Sequence, residues 1–204
     1  YIVEDTSGNK TMVTRNVKIL DKKKNIGTIY LTFDDGPSNN TSKILDILKK
    51  EDIKATFFLV NFNSSYNPVV KRIYDEGHSI GIHSYTHNYK LIYSSVSAYF
   101  DDLNKMNDKI KTITGSDTKL LRFPGGSSNT ISSFNKGIMT TLVKEVTNAG
   151  YHYFDWNVDS SDAWSARNSN DVYNNVINNL KKGTNIVLMH DLSSNEKTIN
   201  ILEK

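Results

Sequence analysis

From Thr28 onward, short runs rich in β-branched and aromatic residues alternate with stretches of helical period. That alternation is the pattern of parallel βα units. The runs 29–33, 55–60, 79–83, 119–123, 151–158 and 185–190 read as strands. Between them, Met139, Leu142, Val143 and Val146 fall at i, i+3, i+4 and i+7, one apolar stripe of a helix. Val172, Val176, Ile177 and Leu180 make a second stripe, with Gly183 placed as its C-cap. Ile44, Leu45 and Leu48 make a third, opened by Thr41 or Ser42 as N-cap. Six strands are too few for a closed eight-strand barrel. The expectation is therefore an α/β fold, an incomplete (β/α) barrel of parallel strands over residues 28–204, unless a further strand follows Lys204. Residues 1–27 are polar and carry turn signals at Ser7-Gly8-Asn9 and Asn25-Ile26-Gly27. They read as an extension with a short hairpin, 1–4 against 10–15.

A length of 204 residues with 37% hydrophobic and 23% charged positions fits one soluble domain with a sizeable core. No apolar run is long enough to span a bilayer, and residues 1–5 lack the layout of a signal peptide. The net charge of +3 is spread over short lysine groups such as Lys22-Lys23-Lys24 and Lys181-Lys182. Such groups read as solvated surface, and nucleic acid is not an expected partner. Cysteine is absent, which removes thiolate ligands, cysteine nucleophiles and disulfides.

Chemistry collects where the predicted strands end. Asp34 and Asp35 follow the first strand, His83 and His87 the third, Arg122 the fourth, Asp159 the fifth and His190 the sixth. In parallel α/β sheets and barrels that rim is where active sites are built. Neighbouring strand residues point to opposite faces, so both carboxylates serve one site only if the chain turns there, and Gly36-Pro37 supplies a turn. His83 and His87, four residues apart, can meet one metal ion with a carboxylate as third ligand, leaving positions open for water and substrate. Zinc suits a hydrolase of this kind, although iron, cobalt or manganese accept similar ligands. His78 and His152 lie away from the rim and read as structural.

Taken in order, Thr32-Phe33-Asp34-Asp35-Gly36-Pro37, His83-Ser84-Tyr85-Thr86-His87, Arg122-Phe123-Pro124-Gly125-Gly126, the stretch from Asp159 to Trp164, and Leu188-Met189-His190 resemble the five motifs of the NodB-homology polysaccharide deacetylases, carbohydrate esterase family 4. The resemblance implies a distorted (β/α) barrel with fewer than eight strands. It implies Asp35, His83 and His87 as metal ligands, with Zn2+ or Co2+ bound, and Asp34 as catalytic base held by Arg122. It further implies His190 as general acid with Asp159 as its charge partner, although Asp155 and Asp162 stand close enough in sequence to compete. Gly125 would lend a backbone N–H to the oxyanion, while Trp164 and Leu188 would line the acetyl and sugar pocket. Two departures stand out: many relatives carry tyrosine at Gly125, and one extra residue precedes Trp164. The implied activity is removal of N-acetyl groups from a polysaccharide, with peptidoglycan N-acetylglucosamine the favoured substrate. Acetylated xylan, or a non-catalytic wall-binding role, are the alternatives. A bacterial, extracellular or cell-surface location, a membrane anchor outside the sequence and a monomeric state complete the expectation.

Overall fold

Ile29 and Phe33 are buried in the core, with Leu31 half-covered on the same face of their strand and Tyr30 half-covered on the other. The structure, a computed structural model, describes residues 27–203 together with the strand residues 2–4 and 10–12. Strand β1 (Ile2–Glu4) pairs antiparallel with β2 (Lys10–Met12), Ile2 opposite Met12. Tyr1 and residues 13–15 of the expected hairpin lie outside the described residues.

Strands β3 (Gly27–Asp34), β4 (Thr56–Leu59), β5 (Ser79–Ile82), β6 (Leu120–Leu121), β7 (His152–Tyr153), β8 (Val158–Asp159) and β9 (Gly183–His190) form one sheet. The order is β7-β6-β5-β4-β3-β9-β8, and every pairing is parallel. The sheet curls into a half-barrel, the incomplete (β/α) barrel expected. Helices α1 (Thr41–Lys50), α2 (Asn67–Asp75), α4 (Val96–Thr114), α5 (Ile138–Asn148) and α6 (Ser169–Asn179) run between strands, with the short α3 (Tyr89–Ile92) and α7 (Glu196–Ile199) beside them. Ile44, Leu45 and Leu48 of α1 and Met139, Leu142 and Val146 of α5 are buried along their predicted stripes. Burying each such side chain stabilises the fold by roughly 1.5–3 kcal/mol. In α6 only Val172 is fully buried.

Three expectations fail in instructive ways. The run 151–158 is not one strand: β7 and β8 sit at opposite edges of the sheet, and residues 154–157 cross between them. In that crossing the carbonyls of Phe154 and Asp155 accept from Arg122. Asn40, not Thr41 or Ser42, stands at the N-cap of α1, because the Thr41 hydroxyl donates to Asp191. Gly183 caps no helix. It opens β9 opposite Gly27, where a Cβ on Gly27 would lie 2.1 Å from the Gly183 carbonyl oxygen.

Candidate active site

Parallel pairing carries the polar strand ends to one rim. Asp34 is the register partner of His190 across β3 and β9, and the β5–β6 pairing of Ile82 with Leu121 sets His83 beside Arg122. Asp35 turns out of β3 with a left-handed φ of 68°, a conformation costly for a residue with a side chain. That turn lets two adjacent carboxylates face the same site. Gly36 is required beside it, since a Cβ there would lie 2.5 Å from Oδ2 of the buried Asp191. Asp191 accepts from Ser38 Oγ at 2.6 Å and Thr41 Oγ1 at 2.5 Å, tying the turn to the start of α1.

Asp35 Oδ1 lies 3.6 Å from His83 Nε2 and 3.4 Å from His87 Nε2. The ligand-type atoms of the three residues all fall within 4.8 Å of one another. His83 Nδ1 donates to the Arg122 carbonyl at 2.8 Å, which leaves its Nε2 lone pair facing the aspartate. Burial drives the His83 pKa down to about 3, so the ring is neutral, the form that ligates a metal. Asp35 Oδ1 is buried with no hydrogen-bond partner. An orphaned carboxylate oxygen facing two imidazole nitrogens fits a divalent cation of the zinc type.

Arg122, 0% exposed, organises the opposite wall. Its Nη1 donates to Asp34 Oδ1 and Thr32 Oγ1 at 2.8 Å each, its Nε to the Phe154 carbonyl at 2.8 Å, and its guanidinium lies 4.4 Å from the Phe58 ring centroid. Desolvation raises the Asp34 pKa above its ordinary value, against the opposing pull of Arg122 and His190. Asp34 Oδ2, the oxygen not held by Arg122, lies 3.8 Å from His83 Nε2.

His190 is held from behind by Asp162. The His190 Nδ1–H donates to Asp162 Oδ1 at 2.7 Å and its backbone N–H to Oδ2 at 2.8 Å. Oδ2 also accepts from Asn195 Nδ2 at 2.7 Å and from the Thr198 hydroxyl. Burial alone would lower the His190 pKa, but the hydrogen bond and charge of Asp162, with Asp34 and Asp35, outweigh it and hold the ring above its ordinary value.

Residues 21–154 match the polysaccharide deacetylase family profile. The chain belongs to the polysaccharide deacetylase family. The catalytic domain of a peptidoglycan N-acetylglucosamine deacetylase from Eubacterium rectale is similar in structure, with a TM-score of 0.81 and 45% identity, covering 86% of this chain and 80% of that one. The putative polysaccharide deacetylase YheN of Bacillus subtilis is 35% identical over 195 residues, 91% of this chain and 66% of the relative. A peptidoglycan-N-acetylglucosamine deacetylase of Bacillus cereus is 36% identical over 170 residues, 80% of this chain and 59% of the relative. The chain thus spans less than two thirds of the length of these two curated relatives.

Against the motifs of this family, one expected pairing is corrected. Asp159 does not meet His190: its carboxylate accepts from the Ser161 N–H at 2.6 Å and closes a turn in which Ser161 has φ 56°. The turn carries Asp162 under His190 instead. Asp155 is occupied by Ser127, whose N–H donates to it at 2.9 Å. Trp164 is 56% exposed and meets the His190 ring edge-on at 5.1 Å, while Leu188 is buried one turn of the pleat before His190. Gly125 is exposed, and its N–H has no acceptor among the described residues.

Asp102 was not legible as a site residue. From α4 it accepts from Ser84 Oγ at 2.7 Å, Tyr85 N at 2.6 Å, Thr86 N at 2.8 Å and Thr86 Oγ1 at 2.6 Å. Ser84 Oγ in turn accepts from the His87 N–H at 2.9 Å, so this buried carboxylate fixes the loop that aims both histidines. A lone acid on the buried stripe Tyr99, Leu103, Met106 and Ile110 was the available signal. His78 and His152 stay out of the site: His78 Nδ1 accepts from the Ala55 N–H, and His152 is exposed on β7.

Proposed function

We propose that this domain is a divalent-metal-dependent hydrolase that removes N-acetyl groups from a bacterial polysaccharide, with peptidoglycan N-acetylglucosamine as substrate. One observation carries the reading: beside the Asp35–His83–His87 cluster stand a carboxylate locked to a cation and an imidazole locked to an anion. Two titratable groups with such opposite partners divide into base and acid. Asp35, His83 and His87 would hold the metal, zinc by preference with cobalt an effective substitute. When bound, the metal supplies a polarised acetamide carbonyl and an acidified water.

The chain's own residues do the rest. Arg122 holds Asp34 Oδ1 and leaves Oδ2 to accept the proton of the attacking water. The Gly125 N–H is free to donate to the oxyanion, a contribution of about 3 kcal/mol by comparison with other such donors. His190, kept protonated by Asp162, gives its Nε2 proton to the amine as the C–N bond breaks, because an amine departs poorly as an anion. Trp164 and Leu188 flank His190 and would bound the pocket for the sugar and the acetyl methyl. Acetate and a free amino sugar result. Action on a wall glycan places the working site at the bacterial cell surface.

The test is acetate release from peptidoglycan, chitooligosaccharides and acetylxylan by the native chain and by Asp34→Asn. Release is expected to be fastest from peptidoglycan and to fall by roughly 10²-fold or more in the variant. Faster release from acetylxylan would make the domain an O-deacetylase, and undiminished turnover by Asp34→Asn would remove the base.

A further inference from the structure

Two of the three clustered ligand residues stand in the left-handed region of backbone space, Asp35 at φ 68° and His87 at φ 49°. Neither is glycine, so the conformation costs free energy and persists only where the neighbouring structure over-determines it. For His87 that structure is the loop bound to Asp102 through Ser84 Oγ. For Asp35 the counterpart lies just past the end of β9, at Asp191.

Asp191 grips the turn by its backbone and by its carboxylate. Its N–H donates to the Asp34 carbonyl at 2.8 Å, which fixes the peptide plane entering Asp35. One residue past Asp35, the Gly36 carbonyl accepts from the Val60 N–H at 2.9 Å. The Asp191 side chain packs against Gly36, and its two oxygens separately receive Ser38 Oγ and Thr41 Oγ1. The Ser38 N–H donates to Thr41 Oγ1 at 2.7 Å and the Asn40 N–H to Ser38 Oγ at 3.0 Å, so the chain from 36 to 41 closes around the carboxylate. That carboxylate is 0% exposed, with no Lys, Arg or His in ion-pairing range among the described residues. Burial accordingly raises its pKa. A buried acid without a counter-cation is costly. Both donors that reach this one belong to the segment after Asp35.

Resting on the reading of Asp35, His83 and His87 as metal ligands, we infer that Asp191 is the positioning residue for Asp35. Its side chain clamps the turn in the left-handed pose, so that the protein rather than the ion sets where Asp35 Oδ1 sits. Any substitution keeps the backbone N–H, so the side chain is the part that can be tested. Asp191→Asn can still accept from Ser38 Oγ and can donate to Thr41 Oγ1, whose own proton then turns to the Ser38 carbonyl at 3.0 Å. Asp191→Ala does neither and leaves both hydroxyls without their partner. Both variants lack the charge, so the difference between them isolates the clamp from electrostatic attraction of the metal.

The experiment measures zinc affinity by chelator competition, and the visible d–d absorption of the cobalt-loaded chain. Asp191→Ala is expected to bind zinc roughly 10- to 100-fold more weakly, the range for groups that orient metal ligands, with altered cobalt bands. Asp191→Asn should recover about fivefold or more of that loss, together with the native bands. Should Asp191→Ala not fold, Ser38→Ala removes one donor, keeps the charge and should cost about three- to tenfold. Thr147→Ala, which removes an exposed hydroxyl on α5, should leave affinity and bands at the native values. Native affinity in Asp191→Ala, or in Ser38→Ala where that variant replaces it, overturns the clamp. Equal affinities for Asp191→Asn and Asp191→Ala overturn it too. Amide hydrogen exchange of the metal-free chain separates the clamp from the metal reading. Faster exchange of the Val60 and Thr41 amides, which bond across the turn, in Asp191→Ala or Ser38→Ala supports the clamp. It does so even if the native chain binds no zinc, a result that would defeat only the metal reading. Exchange equal to the native chain's overturns the clamp.

Discussion

Replacing Asp162 by asparagine keeps the shape beneath His190 and removes the charge. Three donors converge on Oδ2, the His190 N–H, Asn195 Nδ2 and the Thr198 hydroxyl. The amide oxygen of an asparagine is therefore expected at that position, with its NH2 turned toward His190 Nδ1. A donor facing Nδ1 disfavours the imidazolium, which needs Nδ1 to carry a proton. A hydrogen bond to a charged partner is worth about 1.5–3 kcal/mol, and 1.36 kcal/mol corresponds to one pKa unit. The His190 pKa is thus expected to fall by about one to two units in Asp162→Asn. In a kcat/KM profile for acetate release with metal saturating, the alkaline limb should move down by that amount. On the alkaline side turnover should drop roughly ten- to hundredfold. Asp159→Asn, which touches only the Ser161 turn, should leave the limb in place. A superimposable profile for Asp162→Asn, or a shifted one for Asp159→Asn, would refute the pairing.

The same pair governs stability over a defined window. His190 is raised from 6.5, so its contribution is complete below 6.5 and fades as pH rises through the folded value. Asp162, although burial pushes it upward, is held below 3.8 by His190 and Thr198, so its contribution is complete above 3.8 and fades as pH falls through the folded value. The stability gap between native and Asp162→Asn in urea melts should therefore be widest between 3.8 and 6.5, and a gap independent of pH would contradict this. Arg122→Met should destabilise by about 3–5 kcal/mol, since it strands a buried carboxylate; a loss under about 1 kcal/mol in the same melts would show that Asp34 finds other support. Asp102→Asn should weaken zinc binding roughly 10- to 100-fold in a chelator-competition titration, the range typical of groups that orient metal ligands. Unchanged affinity would confine Asp102 to folding.

What the sequence disclosed and what it hid follow different physics. Strand ends were legible because apolar runs such as 29–33 break at charged residues and parallel pairing collects those breaks on one rim. The Asp34–Asp35 turn and the two histidines followed from that. Asp159 was misassigned because a left-handed Ser161 reverses the chain after β8, and no periodicity forecasts such a turn. The split of 151–158 was hidden for a related reason. Its apolar alternation suits a strand, but the buried Arg122 guanidinium recruits the carbonyls of Phe154 and Asp155. Asp102 was hidden because its task is to receive donors from a loop more than a dozen residues earlier, a relation with no local pattern.

Acetate release from purified peptidoglycan after chelation and metal restoration tests the central claim most directly. Chelation should abolish release by the native chain, zinc or cobalt should restore it, and His83→Ala should not recover at metal concentrations that saturate the native chain. Release that persists in chelator, or full recovery by His83→Ala, would contradict a catalytic metal held by Asp35, His83 and His87.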